Sequence, residues 1–129
     1  MTLRRALLFR NIAWAIVIFV LCTFPPNIAP FLPVTTYHAD KLAHFFLFFV
    51  MNLFLYGELR LYTRLRPAWV CVLSILCCIV YGGVIEILQE TYFHRNGEWL
   101  DLLADGVGAI AGSLAYLTFE RRRRSKGKM

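Results

Sequence analysis

The chain has 129 residues, 59% of them hydrophobic and 17% charged, with 14 Lys and Arg against 8 Asp and Glu and a mean hydropathy of +0.58. Soluble domains are about 45–50% apolar and about 25% charged, and one this small has too little interior to hide so much apolar surface. A soluble enzyme and a disordered basic tail are excluded, as is a nucleic-acid-binding domain despite the net charge of +6; a membrane protein remains.

Crossing a hydrocarbon core about 30 Å thick takes roughly 20 apolar residues of helix. Four stretches qualify, so the expected fold is all-α: one polytopic domain over 1–129 built as a four-transmembrane-helix bundle. The first helix is expected over about 6–24, interrupted only by Arg10 and Asn11. Its basic start resembles a signal peptide, but no small-x-small cleavage site precedes Pro25-Pro26, so a retained helix is expected. The second, about 40–57, is short and carries His44 and Asn52. The third, about 68–89, has no charge before Glu86. The fourth, about 101–119, is rich in Gly and Ala and carries Asp105, and a basic tail follows over 120–129. A Pro-rich connection, an Arg-bearing turn (Arg60, Arg64, Arg66) and a polar loop from Glu90 to Trp99 join these helices.

Lys and Arg gather on the cytoplasmic side of membrane proteins. Three basic residues stand at the amino end, three in the second connection and six in the tail, so with four spans twelve of the fourteen share one side. Both termini are therefore expected in the cytoplasm, with Lys41 and Arg95 outside. The run Arg121–Arg124 is read as a topology anchor that also touches anionic lipid, not as a nucleic-acid contact. The four cysteines all lie within apolar spans with no metal or redox spacing.

The acidic residues sort the other way. Glu58 and Glu120 fall on the cytoplasmic side, while Asp40, Glu86, Glu90, Glu98, Asp101 and Asp105 fall at or near the outer side. At about 1.5 Å per residue, Asp40, Lys41, Gln89, Glu90 and Asp101 form an outer ring. One turn deeper lie His44, Glu86 and Asp105. Asp40 and Asp101 suit helix N-caps, and Asn52 suits interhelical hydrogen bonding. Capping explains neither Glu86, near a helix carboxyl end, nor Asp105, a full turn inside its helix. Ionisable groups at membrane depth are costly unless paired or hydrated, and mark function by default. Arg95 either grips an anionic ligand bidentately or neutralises Glu86 or Asp101. Gly108 and Gly112 form a Gly-x-x-x-Gly helix-packing pair; Gly82-Gly83 either receives the fourth helix or bends the third.

Asp40-Lys41-x-x-His44-Phe45, Glu86-x-x-Gln89, Arg95, Asp101, Asp105, Gly108 and Gly112, in that order and spacing, resemble the VanZ family of small bacterial membrane proteins. The resemblance spans Asp40 to about Leu117; one departure is Asp105, where the family commonly has Asn. It implies a multi-pass protein of the bacterial inner (cytoplasmic) membrane acting on the cell envelope, and a link to teicoplanin resistance, since VanZ itself is associated with resistance to that lipoglycopeptide antibiotic.

Two functions are in view. In the first, the protein binds a membrane lipid or lipid-linked cell-wall precursor at the outer leaflet: Lys41 and Arg95 hold a phosphate or carboxylate, and Asp40, Gln89, Asp101 and Asp105 order them or meet cationic groups. In the second, it is a transferase or hydrolase of lipids or glycans with His44 and Glu86 as acid–base groups, and a divalent cation held among Glu86, Asp101 and Asp105. A homo-oligomer is compatible with either. A transporter is disfavoured, because Ser74 is the only polar group deeper than Glu86 in the third helix.

Overall fold

The computed structural model describes residues 2–22, 41–91 and 99–127 with their side chains and residues 23 and 37–40 as backbone. Four helices make up these residues: α1 (Leu3–Thr23), α2 (Tyr37–Tyr62), α3 (Pro67–Thr91) and α4 (Trp99–Gly127). All four are long and apolar enough to cross a membrane, as the sequence predicts. α1 starts earlier than expected and α2, α3 and α4 exceed their expected bounds at both ends, most of all α4, where the tail expected to follow a helix ending near 119 is helical to Gly127. Arginine is a good helix former, and the last turn places Arg124 and Lys126 where a helix dipole favours cations.

Local chemistry fixes the ends. Thr2 caps α1, its hydroxyl accepting from the Arg5 amide at 3.4 Å. The Thr63 amide and hydroxyl both reach back to the Leu59 carbonyl, at 3.0 and 2.5 Å. Four residues later Pro67 starts α3, at the position where its missing N–H costs nothing. This short turn makes α2 and α3 antiparallel neighbours.

The most extensive interface is between α2 and α4. These two helices run parallel, and pairs about 60 residues apart recur along them: Lys41–Asp101, His44–Asp105, Asn52–Ser113 and Arg60–Glu120. Between the rungs the backbones approach closely at the Gly-x-x-x-Gly pair. A Cβ on Gly108 would overlap the Phe45 carbonyl, and one on Gly112 would stand 2.8 Å from the Phe49 carbonyl oxygen. Gly108 and Gly112 therefore serve the packing role expected of them. The described part of α1 packs on α2 and α3 and does not approach α4. Ile18, Cys22, Phe48, Cys78, Ile85 and Ala109 form the core, while large apolar side chains such as Phe9, Val80, Ile87 and Leu103 face outward. A surface like that suits lipid and not water.

Two outward-facing tryptophans stand at opposite ends: Trp69 at 59% exposure and Trp99 at 85%. Aromatic residues of this kind mark the two membrane–water interfaces. Gly82 faces Asp105 and Ser74 faces Ser113, so the antiparallel register sets Trp99 level with Leu88. Trp69 and Leu88 are separated by about 28 Å along α3, close to the hydrocarbon thickness.

Candidate functional site

At the Trp99 end, the first turns of α2 and α4 bring four charged or titratable side chains into one buried network. Lys41 Nζ donates to Asp101 Oδ1 at 2.5 Å. His44 Nδ1 lies 2.8 Å from Asp105 Oδ1, and its Nε2 lies 3.8 Å from Asp101 Oδ2. The imidazole thus bridges two carboxylates, one of which also holds an ammonium. His44, Asp101 and Asp105 are all buried, and Lys41 is the most open member, with 17% of its side chain accessible. The outward order is Asp105, His44, Asp101, Lys41, from about 9 Å inside the level of Trp99 to about 3 Å inside it.

The parallel register explains how the network assembles. Lys41 and His44 are three residues apart on α2, and Asp101 and Asp105 are four apart on α4, so each pair shares a helix face. Asp101 is not a cap: it lies inside the first turn of α4, and its carboxylate is turned to Lys41. Gly82 supplies the space for Asp105, since a Cβ there would stand 2.6 Å from Asp105 Oδ2. Of the two roles open to the glycine pair, Gly82 therefore takes the first and receives the fourth helix. Gly83 has nothing within 4 Å of its Cβ direction.

Other site candidates fall elsewhere. Glu86 is half-buried, and the α3–α4 register sets it level with Asp101. Gly82, one turn deeper, takes the level of Asp105 that the sequence assigns to Glu86. The Gln89 amide donates to the Cys22 carbonyl and ties α3 to α1. The Asp40 side chain and Arg95 lie outside the described residues, as do His94 and Glu98. Among the described residues, no three His, Cys, Asp or Glu side chains are arranged to hold a metal ion. The candidate cation ligands Glu86, Asp101 and Asp105 are not grouped in that way among these residues; Asp101 contacts Lys41 and His44, and Asp105 contacts His44.

A second polar cluster lies deeper. Asn52 Nδ2 donates to Ser74 Oγ at 3.1 Å, Ser113 Oγ donates to Asn52 Oδ1 at 2.9 Å, and the two hydroxyls are 3.3 Å apart. It joins α2, α3 and α4, the interhelical role expected of Asn52, and the sequence gives no sign that Ser74 and Ser113 complete it. From Asp105 to Ser113 along α4 is about 12 Å. That interval holds buried Phe48, Cys78 and Ala109, so an apolar layer parts the two clusters.

At the opposite end Arg60 Nε donates to Glu120 Oε1 at 2.9 Å, and Asn11 pairs with Glu58. The Arg10 guanidinium lies 4.0 Å over the Phe54 ring. Here the acids serve as internal partners for basic or amide groups. In the network at the Trp99 end the balance is reversed: among the described residues it sets the carboxylates of Asp101 and Asp105 against the ammonium of Lys41.

A family model described as VanZ/LLP1 matches residues 3–120. A relative in Schizosaccharomyces pombe, an uncharacterized protein, is 33% identical over 99 residues, which cover 76% of this chain and 57% of the relative. The match thus reaches little more than half the length of that protein. No solved structure matches the chain.

Proposed function

The chain belongs to the VanZ/LLP1 family, and from that premise we propose that this multi-pass membrane protein holds the headgroup of a phosphate-bearing amphiphile in the Lys41–Asp101–His44–Asp105 network. One observation carries the reading: two buried carboxylates, an imidazole and one ammonium meet about 3–9 Å inside the interface level that Trp99 marks. A phosphate competes with Asp101 for Lys41, the most accessible member. The carboxylate released in that exchange is left to meet a cation on the same ligand. A headgroup with both phosphate and amine offers its phosphate to Lys41 and its amine to Asp101. Arg95, carried by the polar loop between α3 and α4, supplies a further cation in this reading.

The arginine-rich end faces the cytoplasm by the positive-inside rule, so the headgroup site faces outward. In a bacterium this membrane is the cytoplasmic one, and the ligand lies on the envelope side. The S. pombe relative favours an amphiphile common to bacterial and yeast membranes, a phospholipid, over a wall precursor. Lowered teicoplanin susceptibility, implied by the family resemblance, is then a consequence of changed outer-leaflet chemistry in hosts exposed to that drug.

Delipidated protein titrated with phosphatidylethanolamine and with an uncharged diacylglycerol separates the cases by native mass spectrometry. We expect retention of the phospholipid alone, and loss of that retention in Lys41→Met/Asp101→Asn. Equal retention of both lipids, or no change in the double variant, refutes headgroup binding. A second reading, acid–base catalysis on a lipid or glycan, is favoured by the 2.8 Å contact between His44 Nδ1 and Asp105. A carboxylate there fixes the tautomer and leaves Nε2 as the proton-transfer atom. Lipid products that form with the parent protein and not with His44→Ala would select it.

A further inference from the structure

We propose that the opposite end of the bundle carries a second, discrete site for an anionic phospholipid headgroup, gripped by Arg121 and Arg124. A cavity of about 200 Å³ opens there, lined by Pro67, Leu117, Glu120, Arg121 and Arg124. It has room for a phosphodiester. Arg121 and Arg124 are three residues apart on one continuous helix, so both guanidinium groups address the same space. Had the tail left the helix near residue 119, this fixed pair would not exist.

Charge accounting makes the cavity cationic. Its one carboxylate, Glu120, accepts from Arg60 on α2 at 2.9 Å, which leaves the two lining arginines to a ligand. Arginine forks match phosphate oxygens bidentately. The α3 amino terminus at Pro67 adds a favourable dipole, and Arg64 and Arg66 flank it in sequence.

Depth selects the source of the phosphate. Trp69, two residues inside α3 and 59% exposed, marks the interface at this end, and Leu117 gives the cavity an apolar wall on the membrane side. A lipid phosphate reaches this position with its acyl chains along α3 and α4. A free phosphate leaves that wall uncovered.

The test uses the full chain in detergent and phosphatidylglycerol as the probe, with bound lipid counted by native mass spectrometry. Arg121→Gln/Arg124→Gln should weaken retention by about tenfold. Arg122→Gln/Arg123→Gln removes the same charge from other helix faces and should weaken it less than about threefold. Phosphatidylcholine should bind the parent no better than it binds the first variant, and millimolar inorganic phosphate should not displace phosphatidylglycerol. Equal losses in the two double variants would reduce the effect to general attraction by a basic tail. Displacement by inorganic phosphate would make this a simple anion site. Either result overturns the proposal. Thermal unfolding of both variants checks that the Arg60–Glu120 pair and the bundle persist. A lining variant that fails to fold is replaced by Arg121→Lys/Arg124→Lys, which keeps the charge and loses the forks; undiminished retention there overturns the proposal equally.

Discussion

Gly82 and Gly83 are adjacent, identical and in the same helix, yet alanine at each should act in opposite directions. At Gly82 the new methyl would stand 2.6 Å from Asp105 Oδ2 and 3.4 Å from its Cβ and Cγ. The carboxylate must swing away, and the 2.8 Å contact to His44 Nδ1 goes with it. A hydrogen bond to a charged group is worth about 1.5–3 kcal/mol, against about 1 kcal/mol gained from alanine's helix propensity. Gly82→Ala should therefore destabilise by about 0.5–2 kcal/mol. Gly83→Ala meets nothing within 4 Å and should stabilise by about 0.5–1 kcal/mol. Unfolding in micelles, followed by fluorescence of Trp14, Trp69 and Trp99, measures both. The Gly82→Ala deficit should disappear when Asp105 is also alanine, because the clash and the hydrogen bond are then both gone. Equal stability of the two single variants, or an undiminished deficit in the Asp105→Ala background, would refute the packing of Asp105 against Gly82.

Gly108→Ala drives a methyl into the Phe45 carbonyl, which belongs to helix backbone and cannot swing aside; a loss of about 3 kcal/mol in the same assay is expected. Lys41→Met should cost about 3 kcal/mol by stranding Asp101, while Lys41→Met/Asp101→Asn should recover most of it. Additive losses in that double-mutant cycle would show that the 2.5 Å pair contributes nothing. Asn52→Ala removes the hub of the Ser74–Ser113 cluster and should cost about 1 kcal/mol, the scale of hydrogen bonds between membrane helices, read again from micellar unfolding.

The four helices were legible because an apolar run of spanning length has few other uses, and Gly108 and Gly112 were legible because small residues at that spacing have one common role. Depth was partly legible: numbering along each helix set Lys41 and Asp101 in one layer, and His44 and Asp105 in the next. What numbering cannot give is which helices are neighbours. The parallel α2–α4 pairing turns Asp101 to Lys41 and away from a capping role, and the α3–α4 register moves Glu86 out to the level of Asp101. Gln89 matches the polar ring in depth but faces α1, where it meets the Cys22 carbonyl. The helical tail was missed because charge counting reads Arg121–Arg124 as a topology signal and ignores arginine's helix propensity.

The most direct test of the headgroup site is a phospholipid carrying a photoreactive diazirine on its headgroup, reconstituted with the full chain and mapped by peptide mass spectrometry. We expect adducts concentrated on α2 from Lys41 to His44 and on α4 from Trp99 to Asp105, and depleted in Lys41→Met/Asp101→Asn. Adducts spread evenly over both membrane-facing ends of the helices, unchanged in the double variant, would contradict a headgroup site at this network.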